Sequence, residues 1–268
     1  MRSFLNIASA LICALLACSI TQCASRGSKV TKERNLAFDF DRNELVLSKA
    51  SIAGTPGRFL IATALPRSLV DDHFRDIGTG SPTLRLGNHF RTTVNPARFD
   101  LENLADGFVG FDVWRRWTIA VDYRNRLITL LTGDTDRSDL TRYEFSGVPT
   151  VPVQVGDEVY QAVIDTALPD TLLLPLNLNP SGLPGRARVN ITLAGHTFSN
   201  VDVAYGPTSS VRVGNRLLSS FLLFINYPGH WVGFWYDRRP HRLTPGVVSG
   251  ASPANSSADP TINDPAGE

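Results

Sequence analysis

Apolar and polar residues alternate in short runs through most of this chain. Gly or Pro interrupts the runs roughly every 8 to 12 residues, the spacing of short strands joined by turns. "LVLSKASIAGTPGRFLIATA" (45–64) and "VPVQVGDEVYQAVIDTA" (151–167) each read as strand, glycine-containing turn and strand. "LRLGNHFRTTV" (84–94) and "NITLAGHTFSNVDVAY" (190–205) read as a further hairpin in each half. Helical periodicity is confined to two short stretches, near Pro66–Phe74 and Val113–Trp117. The pattern predicts an all-β protein.

The pattern is also written twice. Ile61-Ala62-Thr63-Ala64-Leu65-Pro66 lies over Ile164-Asp165-Thr166-Ala167-Leu168-Pro169 at an offset of 103. "VGFDVWRRWTIAVDY" (109–123) lies over "VGNRLLSSFLLFINY" (213–227) at 104. Two separate segments that agree within one residue imply an internal duplication. The period is too long for a solenoid and fits two copies of a small β lobe. The expected boundaries are a signal segment at 1–24, a tether at 25–35, lobes at 36–140 and 141–240, and a disordered tail at 241–268 rich in Pro, Ser, Ala and Gly.

Composition narrows the function classes. The chain has 268 residues, 26 basic against 25 acidic, and a net charge of +1. Its arginines are scattered and form no basic block, so a nucleic-acid partner is set aside. Met1-Arg2 followed by the apolar stretch Phe4 to Ala17 is a targeting segment, too short for a spanning helix. It ends in "LLAC" (15–18), which resembles a bacterial lipobox. In that reading Cys18 is lipidated and the protein is an outer-membrane lipoprotein. Ordinary cleavage after Ser19 or near Ala24 would instead release it into the periplasm. Any membrane association would then run through the N-terminal lipid alone. All three cysteines (Cys13, Cys18, Cys23) lie in or beside this segment. The folded part therefore has no disulfide framework and no thiol nucleophile. The five histidines show no HExxH spacing, so no metal site is expected, and no Walker, dinucleotide or nucleophile-elbow glycine pattern calls for a cofactor.

At the repeated phrases the chain resembles the aspartic protease family, above all its retropepsin-like branch. "IDTALPDT" (164–171) resembles that family's Asp-Thr-Gly/Ala loop, with Leu168 where a small residue is usual. "ADGFVGFDVWRRWTIAVDYRNRLITLL" (105–131) resembles its second signature of two apolar residues, a Gly, a short helix and a hairpin. The resemblance covers roughly residues 44 to 236 and implies a bilobal, aspartic-protease-like fold. It also implies roles. Asp165 would be the catalytic base, and Thr63 and Thr166 would hydrogen-bond across the lobe interface. Ala64 and Ala167 would be the small third residues of back-to-back loops. Gly110 and Gly214 would let a strand pass close behind each loop. A hairpin flap, which in this family covers the groove, would bring His89 and His196 to line it; the alternative for both is an exposed turn.

The pattern breaks at Ala62, where the first-lobe carboxylate should stand. An aspartic protease needs two carboxylates about 3 Å apart sharing one proton, and loss of such an acid-base group costs about 10²–10⁴ in rate. Asp71 and Asp72 follow too late in the chain to substitute. Arg212 stands where an apolar residue is expected and would pin Asp165 as an ion pair. Three readings remain. One is a degenerate protease that binds a peptide or protein ligand in the inter-lobe groove. Another is an active endopeptidase in which Asp165 pairs with that of a second chain. The last is a structural envelope protein. Asp165 also reads as a turn aspartate bonding its own backbone. Asp106 and Asp112 read as caps of the short helix, and Trp114, Trp117, Trp231 and Trp235 as core.

Overall fold

The computed structural model of the chain describes residues 33–75, 77–78, 80–132 and 139–236. The expected signal segment with Cys18, most of the tether and the C-terminal tail lie outside the described residues. The first lobe contains β1 (Glu33–Asp41), β2 (Glu44–Leu47), β3 (Ala50–Ile52), β4 (Thr55–Pro56), β5 (Phe59–Ile61) and β6 (Leu69–Asp71). It continues through β7 (Thr83–Leu86), β8 (Phe90–Thr93), β9 (Ala97–Phe99), β10 (Gly107–Val109), helix α1 (Phe111–Trp114), β11 (Thr118–Asp122) and β12 (Leu127–Leu131). The second contains β13 (Thr141–Glu144), β14 (Thr150–Val155), β15 (Glu158–Ile164), β16 (Leu172–Pro175), a 3-10 turn (Leu176–Leu178), β17 (Gly185–Leu193) and β18 (His196–Gly206). It ends with β19 (Val211–Val213), α2 (Asn215–Leu218), β20 (Phe221–Asn226) and β21 (Trp231–Tyr236). The protein is all-β and two-lobed, and each lobe closes with a four-residue helix followed by a hairpin.

Two expectations are corrected. Glu33 to Asn35, expected within the tether, instead pair with Leu131 to Thr129 in β1 and β12. No helix forms over Pro66–Phe74. Leu69–Asp71 is a strand between β10 and β9, where neighbours on both sides overrule a weak helical period. The other expected helix is present as α1, beginning at Phe111 and ending before Arg115.

The lobes are joined by pairing of β11 with β20, at the centre of the strand order β13-β21-β20-β11-β12-β1. In that ladder Ala120 faces Phe224, so two equivalent residues of the 104-residue repeat are direct partners. A pseudo-twofold axis therefore passes through this pair, and the central sheet reads the same from either end.

Away from the axis the lobes differ. In the second, β14-β15-β19-β16-β18-β17 closes into a barrel, because the eleven-residue β18 is long enough to pair with both β17 and β16. In the first, the corresponding stretch is cut into β8 and β9 around Pro96, which has no N–H to donate to a ladder. Strand β8 joins a separate four-stranded sheet, β4-β3-β7-β8, and β9 is left at an edge. One apolar core of Leu, Ile, Val and Phe side chains runs through both lobes. Trp114 and Trp231 are buried, Trp117 and Trp235 half-buried, and Trp114 donates its ring N–H to the Val109 carbonyl at 3.0 Å.

Two glycines in this frame admit no side chain. A Cβ on Gly214 would stand 2.2 Å from the Asp170 carbonyl oxygen and 2.6 Å from that of Leu168. On Gly110 it would stand 2.6–2.8 Å from the backbone of Arg67 and Ser68. Gly214→Ala and Gly110→Ala are each expected to lose about 2–4 kcal/mol in urea unfolding, because backbone rather than a flexible side chain has to move.

Candidate functional site

Strand β5 and the last three residues of β15, Ala162 to Ile164, are buried apolar runs that deliver the repeated triplets to the axis. Each lies parallel to a short strand behind it, β10 and β19 respectively. The two turns are then built by the same hydrogen bonds. The amides of Ala62 and Asp165 donate to the carbonyls of Val109 and Val213, at 3.0 and 2.9 Å. Those of Leu65 and Leu168 close back on the carbonyls of Ala62 and Asp165. Phe111 and Asn215 donate to the carbonyls of Leu65 and Leu168, both at 2.8 Å. The duplication read in the sequence thus has a matching pair of backbone loops.

Thr63 and Thr166 meet across the axis. The Thr63 hydroxyl donates to the Ile164 carbonyl at 2.6 Å, and the Thr166 hydroxyl to the Ile61 carbonyl at 2.9 Å. Each hydroxyl also accepts the backbone N–H of the other threonine at 3.2 Å. Four bonds join the lobes through two side chains that are 1% and 0% exposed. Ala64 and Ala167 follow them in the two turns.

Asp165 and Ala62 occupy equivalent positions beside this clasp. Ala62 is fully buried and offers only a methyl group. Asp165, 5% exposed, accepts the Ala167 N–H on Oδ1 at 3.0 Å and the Arg212 guanidinium on Oδ2 at 2.8 Å. Arg212 projects from β19, the strand directly behind the Asp165 loop. Its Nε–H is buried with no hydrogen-bond partner, while its side chain remains 36% exposed. The nearest formal charge partner of Asp165 is therefore a guanidinium rather than a second carboxylate. A carboxylate whose two oxygens are committed in this way can still accept a bond, but it has no neighbour with which to share a proton.

Other sequence candidates are placed elsewhere. Asp112 caps no helix. Helix α1 has Gly110 at its N-cap with no side-chain bond, and Asp112 Oδ1 instead accepts the Ser68 N–H and hydroxyl at 2.9 and 2.7 Å. Ser68 Oγ in turn accepts the Gly110 N–H at 3.0 Å, which ties the two halves of the first-lobe loop together. Asp106 accepts the Arg58 backbone N–H, bracing the entry to β5. Asp71 lies at the end of β6, where its oxygens accept backbone N–H groups of His73 and Leu101, both at 2.8 Å. Asp71, His73 and Asp100 bring donor atoms within 4.8 Å of one another, but Asp71 is already spent on the turn. His196 stacks on Tyr236 at 3.9 Å, against the closing hairpin of the second lobe, and His89 is exposed in the β7–β8 turn. The two equivalent hairpins that carry these histidines, β7–β8 and β17–β18, are both formed. A cavity of about 620 Å³ on the first lobe, lined by Arg58, Asp71, His73 and Asp106 among others, does not include Asp165.

Sequence reasoning missed Asn215. Wholly buried, it donates from Nδ2 to the carbonyls of Thr166 and Asn43, at 2.7 and 2.8 Å, and accepts the Tyr123 hydroxyl at 2.9 Å. It is a second clamp between lobes, and burial pushes the Tyr123 phenol well above its ordinary range. Its one sequence signal was an Asn directly after Gly214, where the first repeat has Phe111. No protein-family model and no curated protein sequence matches the chain.

Thr63→Val and Thr166→Val each remove one hydroxyl and leave buried partners unsatisfied. Each is expected to cost about 1–3 kcal/mol in denaturant unfolding. The double variant should cost less than the sum of the two, because the four bonds share the same pair. At Asp71 the Leu101 N–H, with that of His73, holds the carboxyl below its ordinary value of 3.8. A depressed folded value means that its contribution is present above the unfolded value and is lost as pH falls through the folded one. The stability difference between wild type and Asp71→Asn, measured by urea unfolding across that acid range, should shrink as pH falls.

Proposed function

We propose that this protein is a degenerate member of the aspartic protease class that binds peptide or protein ligands between its lobes and does not cleave them. One observation carries the reading: the position equivalent to Asp165 in the other lobe is Ala62, and Asp165 itself is held by Arg212 at 2.8 Å. The Thr63–Thr166 clasp supports the class, since a clasp of this form is what two back-to-back Asp-Thr loops require. Catalysis by a carboxylate dyad needs one ionised and one protonated member. Here the second member is a methyl group, and the first is neutralised by a cation. A trans-dyad with a second chain is not favoured, because Thr166 and β20 already have their axis partners within the same chain. The same reading makes the protein an exported component of the bacterial envelope, held by Cys18 if that residue carries lipid.

The test is peptide turnover by the full chain, using an unbiased peptide mixture over about pH 3 to 7, where carboxylate dyads work. Mass spectrometry reads both cleavage and retained peptides. Wild type is expected to retain peptides and cut none. Ala62→Asp, or Ala62→Asp with Arg212→Leu, should gain cleavage that Asp165→Asn removes. Wild-type cleavage abolished by Asp165→Asn alone would overturn the degenerate reading. Absence of both retention and cleavage in every variant would overturn the peptide-binding reading. In unfolding experiments Arg212→Met should be more destabilising than Asp165→Asn, since only the former leaves a buried charge unpaired.

A further inference from the structure

Several arginines of this fold have a carboxylate partner. Arg58 pairs with Glu44, Arg186 with Asp170, Arg188 with Asp202 and Arg212 with Asp165. Four others do not. Arg34 on β1, Arg91 on β8, and Arg115 and Arg116 just after α1 line one cavity of about 450 Å³, and none makes an ion pair among the described residues. Asp112, the carboxylate in the same lining, has Oδ1 committed to Ser68. Phe90 and Trp117 complete the wall, with the Arg34 guanidinium 5.9 and 5.6 Å from their ring centres. Those rings hold one guanidinium in place at the cavity.

Gathering four like charges around a hollow is unfavourable unless something neutralises them. The overall charge of +1 shows that the clustering is local and not a bias of composition. Guanidinium forks match the oxygens of phosphate and carboxylate, and several converging forks favour a group that carries more than one negative charge. The volume falls within the range of small-molecule sites, about 300–1,000 Å³. We propose that this pocket on the first lobe binds a phosphate-bearing anion. It is separate from the Asp165 position and does not depend on the peptide-binding reading.

Pyrophosphate is the probe, titrated into the full chain by calorimetry at low ionic strength, where screening is least. Wild type is expected to bind. Arg115→Glu and Arg116→Glu, both at exposed positions, should each weaken binding at least about tenfold, as loss of a charge-assisted hydrogen bond does. Their unfolding midpoints should stay at the wild-type value. Arg85→Glu makes the same charge change at a separate cavity and should bind as wild type does. A second arm sediments the chain with phosphatidylcholine vesicles, with and without phosphatidylglycerol. Binding that requires phosphatidylglycerol and is lost in Arg115→Glu assigns the phosphate to a lipid headgroup, and pyrophosphate binding alone assigns it to a soluble compound. The proposal is overturned if wild type binds in neither arm, if Arg85→Glu weakens binding as much as Arg115→Glu, or if citrate binds while pyrophosphate does not.

Discussion

The structure depends on two threonine hydroxyls reaching across the axis between repeats. Each must find a carbonyl and accept an N–H in the opposite lobe, so the two loops can hold only one relative position. Buried hydroxyls without partners are costly, which makes the clasp directional in a way that apolar packing is not. Everything adjacent inherits that placement. β11 and β20 pair with equivalent residues opposed, Asn215 reaches both lobes, and Asp165 and Ala62 take equivalent positions beside the clasp.

The clasp and the carboxylate beside it have separate fates. The threonines, the small residues after them and the tight glycines serve the architecture, and all are retained in both repeats. At the position equivalent to Asp165 the first repeat has Ala62. Arg212 supplies the countercharge that a carboxylate only 5% exposed requires. The ion pair and the Ala167 N–H together occupy both oxygens of Asp165.

The lobes have also diverged in how they finish their sheets. The second closes its barrel through one long strand, whereas in the first Pro96 interrupts the equivalent strand and leaves an edge. That break turns β8 away into a small separate sheet, and this brings Arg91 beside Arg34 and the residues after α1. The basic cavity is thus a consequence of asymmetry between repeats and has no counterpart in the repeated phrases themselves.

The sequence by itself determined the all-β class, the twofold repeat, the positions of most hairpins and the triplets at the axis. These rest on short-range periodicity and on self-similarity, both of which survive in one dimension. It also displayed Ala62 and Arg212 as departures, because a repeat makes an odd residue visible against its twin. It misjudged Pro66–Phe74, where cross-strand partners decide the backbone, and Asp112, whose bond lies 44 residues away at Ser68. Only the tertiary structure decided that Asn215 clamps the lobes and that four scattered arginines share one hollow. Those facts concern which side chains meet across long loops, and no local pattern of polarity records them.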